Sequence, residues 1–354
     1  MSTRRGRAKP DLRIGISGWN YRSWRGVFYP DGLVQRRELE YASRQFNSIE
    51  INGTFYSLQR PEYFRRWREA TPEDFVFAVK GSRFVTHMKK LREIETPLAN
   101  FFASGPLVLE EKLGPILWQF GPHWPLDLER MEAFLGLLPR TTREAARLAR
   151  RHDQRLAGRA HTRTREDRPL RYAVEPRHPS WFSPPLLRLL RRHDVALVFA
   201  DTAETFPYAE DITASFVYLR LHGRGQLYVG GYNEGQLAIW AERVAAWSRG
   251  GEPSDAVKIE DRKPRMIRRD AYVYFDNDAK VHAPFDALTL ASTLDLAPGE
   301  QADPRLEQVN AMSTPTPAMT LEEIEERRIE AAARWSPRAT RRISGSAAAK
   351  IPRP

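Results

Sequence analysis

Acidic and imidazole side chains follow short apolar, β-rich runs in the central part of this chain. Carboxylates and imidazoles at such positions can act as general acids and bases, because their protonation states are adjustable by the surroundings. Four residues are candidates for that catalytic role, namely Glu50, Glu175, His178 and His222. Their types predict proton-transfer chemistry on a small molecule.

Basic residues at the ends of three different runs could bind an anionic ligand, and these are Lys80, Arg177 and Arg220. The glycine-rich loop 223–231 follows the seventh run, a place where barrels often bind phosphate through backbone N–H groups. Further candidates for substrate binding are Ser17, Trp19, Tyr21, Asn52, His87, Gln119, Trp181, Asp201 and Asn277. Together they predict a polar pocket for a small anionic ligand, with phosphorylated compounds among the candidates.

A divalent metal ion is an alternative use of the acidic residues. Oxygen and imidazole ligands are available from Glu50, Glu175, His178, Asp201, His222 and Asp276. The spacings H-x-x-x-H and H-E-x-x-H are absent, and nearby cations could neutralise the carboxylates instead. Metal-assisted and metal-free catalysis both stay open, and no nucleotide-cofactor motif is present.

Eight apolar runs could supply the strands that position these residues. They span 12–18, 48–52, 75–80, 115–120, 171–175, 195–200, 216–221 and 271–276. Between them, helical spacing occurs at 34–46, 63–70, 98–113, 128–138, 184–193, 235–249 and 284–294. Near-continuous apolar strands that alternate with helices indicate a parallel sheet covered on both faces.

This alternation predicts an α/β protein with a single TIM-like (β/α)₈ barrel. Residues 14–140 and 170–296 total 254, which matches the length of about 250 residues typical of such barrels. The sixth and seventh runs lie too close for a full helix, so one crossover must be degenerate. A doubly wound open sheet is less consistent, because residues 15–19 do not fit G-x-G-x-x-G.

The net charge of +11 is concentrated outside the predicted barrel core. Residues 1–13 carry +4, and residues 141–169 carry +5 from nine arginines and four acidic residues. We therefore predict a basic disordered arm at 1–11 and a barrel at 12–296. The Arg-rich segment 141–169 is predicted as an insertion between the fourth and fifth strands. A charged, mostly disordered tail at 297–354, with a helix at 321–335, completes the domain prediction.

The composition also excludes several classes of protein. The chain has no cysteine, which excludes disulfide scaffolds, thiolate zinc sites and cysteine nucleophiles. No apolar run approaches the roughly 20 residues that a membrane-spanning helix requires. We therefore expect a soluble, cytoplasmic protein.

Eight separate stretches resemble, in order, one known family. They are 14–30 (IGISGWNYRSWRGVFYP), 49–56 (IEINGTFY), 75–80 (FVFAVK), 85–87 (VTH), 113–117 (LGPIL), 174–181 (VEPRHPSW), 218–223 (YLRLHG) and 274–278 (YFDND). This pattern resembles the YecE-like family, also called domain of unknown function 72, over about residues 12–293. The resemblance implies a TIM-barrel-like fold and no established reaction.

Two further functions remain open from the sequence. The basic arm, the Arg-rich segment and nearby aromatic residues could bind nucleic acid, although the barrel core is nearly neutral. A ligand-binding barrel without catalysis is the other alternative. The sequence makes no prediction about the oligomeric state.

Overall fold

Eight parallel strands form a closed barrel in the computed structural model, which describes residues 10–225 and 227–296. The strands are β1 (Leu12–Ser17), β2 (Ser48–Ile51), β3 (Val76–Lys80), β4 (Leu113–Gln119), β5 (Tyr172–Glu175), β6 (Val195–Asp201), β7 (Phe216–Leu221) and β8 (Asp270–Phe275). Each strand pairs with its neighbours in chain order, and β1 also pairs with β8. The predicted TIM-like barrel is confirmed.

Helices surround the barrel, and several of them begin at the prolines and capping residues seen in the sequence. They are α1 (Glu38–Gln45), α2 (Gly53–Tyr56), α3 (Pro61–Glu69), α4 (Glu95–Ala103), α5 (Leu128–Leu137), α6 (Thr142–Ala149), α7 (Pro184–Arg192), α8 (Glu234–Ser248) and α9 (His282–Thr293). Pro61 and Pro184 occupy first-turn positions, where the missing N–H has no cost. Asp127 caps α5 by accepting from the Arg130 N–H.

The helix predicted over 98–113 is interrupted in the structure. Helix α4 ends at Ala103, and a separate 3₁₀ helix spans Pro106–Lys112. Gly105 between them has a φ of +131°, and a side chain there would overlap Phe64, 2.5 Å from the added Cβ. Pro106 further disfavours a helical conformation at the preceding residue. Glycine conformation and proline sterics together explain the break.

The crossover between β6 and β7 contains no helix in the described residues 202–215, as the strand spacing predicted. Instead, this segment is held by the stretch that follows α8. Asp211 accepts from the N–H groups of Ile259 and Glu260, and the Glu210 N–H donates to the Val257 carbonyl. The connection is therefore anchored by side-chain and backbone hydrogen bonds rather than by an amphipathic helix.

The segment 141–169 lies between β4 and β5 and begins with α6, which packs against α4. Thr141 caps α6, and its apolar face is formed by the buried alanines 145, 146 and 149. Several arginines of this segment pair with its own acidic residues, including Arg143 with Asp167 at 3.8 Å. Internal pairing of this kind reduces the positive charge offered to a partner.

Residues 1–9 and 297–354, with the helix predicted at 321–335, lie outside the described residues. Within the described ranges, no helix combines the length and apolar character needed to cross a bilayer.

The barrel interior changes from apolar to polar towards the carboxyl ends of the strands. One buried cluster inside the barrel includes Ala78, Leu117, Ala173, Tyr218 and Tyr274. Side chains two positions apart share a strand face. The next interior positions on these five strands are therefore occupied by Lys80, Gln119, Glu175, Arg220 and Asp276. Strand alternation thus brings polar residues from β3, β4, β5, β7 and the end of β8 into one layer.

Candidate functional site

A cavity of about 780 Å³ opens above this polar layer. It is lined by Tyr21, Asn52, Phe55, Tyr56, Lys80, Arg83, His87, Met88, Gln119, Arg177, Tyr228, Asp276, Asp278 and Ala279. Six of the substrate-binding candidates from the sequence belong to this lining, namely Tyr21, Asn52, Lys80, His87, Gln119 and Arg177. The structure therefore brings residues from most of the barrel strands to a single cavity.

Arg220 lies beneath the cavity, fully buried, and bonds to carboxylates from three other parts of the barrel. Its guanidinium is 2.9 Å from Glu50, 3.0 Å from Glu175 and 2.7 Å from Asp276. His222 and the Ser17 hydroxyl accept further hydrogen bonds from it. All five N–H donors of the guanidinium thus have acceptors. The expected direct contact between Arg220 and a ligand is not available in this geometry.

Glu50 and Glu175 are likewise buried in this network rather than exposed in the cavity. The Tyr218 hydroxyl donates to Glu50 Oε2 at 2.5 Å, and the Arg177 Nε donates to Glu175 Oε1 at 2.8 Å. Burial opposes ionisation of Glu175, but Arg177 and Arg220 hold its pKa well below the usual range. Both carboxylates accept hydrogen bonds from donors that are fixed in the network. This arrangement suits a role in positioning neighbouring side chains better than a role in proton transfer.

His222 is a neutral member of the same network. Burial and the neighbouring Arg220 lower its pKa to about 3. Its Nδ1 lies 3.1 Å from the Asp201 carbonyl, which can only accept, while its Nε2 lies 2.9 Å from a donating Arg220 nitrogen. The proton is therefore on Nδ1. Because the ring is uncharged, its 3.4 Å contact with Asp276 is not an ion pair.

Three predicted site residues have structural roles outside the cavity lining. His178 accepts from the Ser180 N–H and caps the short helix Pro179–Trp181. Trp181 is buried, with its ring centroid 4.6 Å from that of Phe120. Trp19 packs edge-on against Trp67. In this structure each of these side chains is engaged in local packing or capping, and its contact with a ligand stays a prediction.

Asp201 and Asn277 also point away from the polar layer, and strand alternation explains both. Asp201 follows the interior residue Ala200, so it faces the other way and accepts from Tyr232 at 3.0 Å. Asn277 follows Asp276 and donates to Asp286 of α9 at 2.8 Å. The sequence analysis took every polar residue at a strand end without regard to this alternation. It therefore selected Asp201 and Asn277, which are the neighbours of interior residues.

The glycines of the loop after β7 serve close backbone packing. A Cβ added to Gly223, whose φ is +94°, would lie 2.0 Å from the Gly230 carbonyl oxygen. The Gly223 N–H already donates to the Tyr232 hydroxyl. This loop is consequently folded on itself, and the geometry gives no support to the predicted phosphate cradle.

Asp278 is a lining residue that the sequence analysis did not select. Its Oδ1 is buried without a hydrogen-bond partner in the described structure. Burial and the nearby charge of Asp276 raise the pKa of Asp278 well above its usual range. The charged form of Asp278 is thus disfavoured in the cavity wall. Both aspartates follow the end of β8, and Asp278 begins a short 3₁₀ helix, so strand alternation does not predict the direction of its side chain.

Arg83 and Tyr228 were also missed. Arg83 follows β3, and its guanidinium carbon lies 5.3 Å from the centroid of the exposed Tyr56 ring. The Tyr228 hydroxyl accepts a hydrogen bond from Arg177 at 3.2 Å, and the Tyr228 N–H donates to the His222 carbonyl at 2.8 Å. These residues come from loops, where neither periodicity nor spacing predicts the direction of a side chain.

Two basic groups in the lining have lowered pKa values. Burial, followed by the charge of Arg220, lowers the pKa of Lys80 to about 8. Burial, with Arg177 and Lys80, lowers the pKa of His87 to about 4. His87 is therefore neutral at physiological pH, whereas most Lys80 amines are protonated.

No group of three or more acidic or histidine side chains is placed to hold a metal ion within residues 10–225 and 227–296. The carboxylates predicted as metal ligands are instead separated by the guanidinium of Arg220.

Comparison with known proteins agrees with the architecture of the barrel. The family model described as "Protein of unknown function DUF72" matches residues 13–310. A DUF72 family protein from Thermotoga maritima is 27% identical, with a TM-score of 0.60 over 80% of this chain and 99% of that one. One from Enterococcus faecalis, 17% identical, has a TM-score of 0.58 over 81% and 96% of the two chains, and shows the shared fold alone.

Curated relatives match over shorter stretches. The UPF0759 protein YecE of Escherichia coli K12 is 29% identical over 136 residues, which cover 36% of this chain and 44% of YecE. The UPF0759 protein YunF of Bacillus subtilis is 27% identical over 125 residues, which cover 34% and 43%. The aligned stretch thus spans less than half the length of either relative. With the family model matching most of the chain, the resemblance found in the sequence is confirmed: this chain belongs to the DUF72 family.

Proposed function

We propose that the chain binds a small anionic molecule in the cavity and acts on it by proton transfer. A charge imbalance in the lining supports the binding step. Lys80 and Arg83 form no ion pair within the described part of the chain. By contrast, Asp276 lies 2.7 Å from Arg220, and burial beside Asp276 raises the pKa of Asp278 well above its usual range. The uncompensated charge in the cavity is therefore positive.

The acid–base part of the proposal is supported by Asp278 and His87. Burial and the charge of Asp276 raise the pKa of Asp278 well above its usual range, whereas burial lowers the pKa of His87 to about 4. Groups with such separated pKa values can act as proton donor and proton acceptor. In this proposal Asp278 and His87 contact the ligand. Glu50, Glu175 and His222 hold the cavity floor beneath them.

Charge reversal at Arg83 tests the anion site. Titration of the full chain with inorganic phosphate, sugar phosphates and small carboxylates, by calorimetry at low and moderate salt, identifies the preferred anion. Arg83→Glu should weaken its binding about tenfold or more, because an attractive contact becomes repulsive. Arg66→Glu, which reverses an exposed arginine on α3, is the matched control and should bind normally.

Equal affinities in the wild type and Arg83→Glu would contradict the proposal, as would preferential binding of uncharged ligands. The metal-assisted and nucleic-acid alternatives stay predictions. Nothing in the described residues favours either, since the carboxylates are tied to Arg220 and arginines of 141–169 pair locally.

A further inference from the structure

We propose that Lys80 is a nucleophile whose amine condenses with the carbonyl carbon of an anionic aldehyde or 2-oxo acid to form a Schiff base. This deepens the proposed function, since it rests on the same cavity and names the substrate class. Amines that form Schiff bases must be accessible to the ligand, held in place and free of competing hydrogen bonds. Lys80 meets each of these requirements.

The position of the amine is the first observation. Lys80 ends β3, faces the barrel interior and lines the cavity, although its side chain is almost entirely buried. Its Nζ lies 4.7 Å from the centroid of the Phe55 ring. The Thr54 hydroxyl donates to the Lys80 carbonyl at 2.6 Å and fixes the end of the strand. The amine is thus held at the base of the cavity by packing.

Lys112 is also buried, and comparison with it shows that burial alone does not leave an amine free of hydrogen bonds. Lys112 also has a lowered pKa, caused mainly by burial. Its Nζ donates to the Arg68 carbonyl at 2.7 Å, the Thr71 carbonyl at 2.8 Å and the Thr71 hydroxyl at 3.1 Å. By contrast, Lys80 Nζ makes no hydrogen bond or ion pair to any described residue. Of these two buried lysines, Lys80 is the one whose amine is free to attack a ligand.

The surroundings of Lys80 also increase the fraction of neutral amine. Arg220 opposes protonation, whereas Glu50, Glu175 and Asp276 partly support it. At a pKa of about 8, about one amine in ten is neutral at pH 7, against about one in three thousand at the ordinary value of 10.5. The nucleophilic form is therefore available at neutral pH.

The reaction balances without an oxidant or reductant. The Lys80 lone pair forms a C–N bond to the carbonyl carbon, and the C=O π electrons move to oxygen. The nitrogen transfers one proton to that oxygen, which gives a neutral carbinolamine. Asp278 then donates its proton to the departing hydroxyl, so that water leaves as the C=N⁺ bond forms. The products are an iminium ion, an Asp278 carboxylate and one water molecule.

Reductive trapping on the full chain tests this step. Glyoxylate serves as the anionic probe, acetaldehyde as the uncharged probe, and cyanoborohydride reduces the imine. Peptide mapping then compares the labelling rate at Lys80 with the rates at the other eight lysines of the chain. We expect labelling at least about tenfold faster at Lys80, with a rate that rises through pH 8. Lys80→Arg should abolish the fast label, and Lys112→Arg should retain it.

The two probes separate the two proposals. If acetaldehyde labels Lys80 selectively but glyoxylate is no faster, the nucleophile stands and the anion site fails. If phosphate binds and Arg83→Glu weakens it, yet neither probe labels Lys80 selectively, the anion site stands and the nucleophile is refuted. Because the labelled position is read in the wild type, this outcome does not depend on whether a variant folds.

Discussion

Replacement of Arg220 by methionine should destabilise the barrel strongly and in a pH-dependent manner. In the wild type, one buried guanidinium forms ion pairs with Glu50, Glu175 and Asp276 at 2.7–3.0 Å. Methionine fills much of the same volume but supplies neither charge nor N–H donors. The variant therefore leaves three carboxylates close together, with only Arg177 and Lys80 nearby to balance them.

Loss of one partner from a buried ion pair costs about 3–5 kcal/mol, and three carboxylates place this site near the upper end. Such a loss is a large share of the roughly 5–15 kcal/mol that stabilises a domain. In the variant, burial and mutual repulsion raise the carboxyl pKa values above the unfolded values near 4. The folded variant then binds more protons than the unfolded chain, so its stability falls as pH rises.

The wild type behaves in the opposite way, because the pKa of Glu175 is held below its unfolded value and that contribution is lost only as pH falls. Urea unfolding at pH 5 and pH 7 should therefore show a larger difference between wild type and variant at pH 7. Arg269→Met is the matched control, since buried Arg269 donates to the carbonyls of Gly250 and Arg265. A loss below about 1 kcal/mol, or an equal loss at both pH values, would refute this account of the network.

Two smaller changes test individual contacts. Tyr218→Phe removes the hydroxyl that donates to buried Glu50 and should cost about 1.5–3 kcal/mol, because hydrogen bonds to charged groups are the stronger ones. Tyr172→Phe, which loses a bond to the neutral Pro139 carbonyl, should cost only about 0.5–1.5 kcal/mol in the same urea assay, and equal losses would contradict the assignment. Lys80→Met should be more stable than wild type at pH 7, by up to about 3 kcal/mol, because the folded-state pKa of about 8 lies below the unfolded value. The free energy of unfolding of the wild type should rise from about pH 8 to pH 10, whereas that of the variant should not. The same pH dependence in both proteins across that range would contradict the lowered pKa of Lys80.

Strand positions were predictable because buried strands of a parallel barrel are continuous apolar runs bounded by turns. The predicted run 216–221 coincides with β7, and the run 195–200 differs from β6 by a single residue. Helix starts at Pro61 and Pro184 followed from proline sterics. The interruption at Gly105 was missed, because a helical pattern of apolar residues continues across it.

The site was predicted less completely, for a geometric reason. Side chains alternate between the two faces of a strand, so the residues that enter the barrel depend on which face of each strand points inward. The apolar runs predict where a strand lies, but strands buried on both faces do not show which face is the inner one. Lys80 and Gln119 lie on the inner face, whereas Asp201 and Asn277 are shifted by one position. The sequence also does not distinguish an arginine that is open to a ligand from one that is paired within the protein. Arg220 was predicted to bind the ligand, but its guanidinium is bonded to buried carboxylates.

The guanidinium beneath the cavity also has a consequence for how the chain reaches its native state. Glu50 and its counter-charge Arg220 are separated by 170 positions along the chain. Until β7 joins, a partly assembled sheet that buries Glu50 would leave its carboxylate without that cation. The ion pair of Glu50 therefore requires β7, the seventh of the eight strands along the chain. A fragment made of the first four strands contains Glu50 but lacks Arg220, so we expect it to be less stable than the same strands are in the whole barrel.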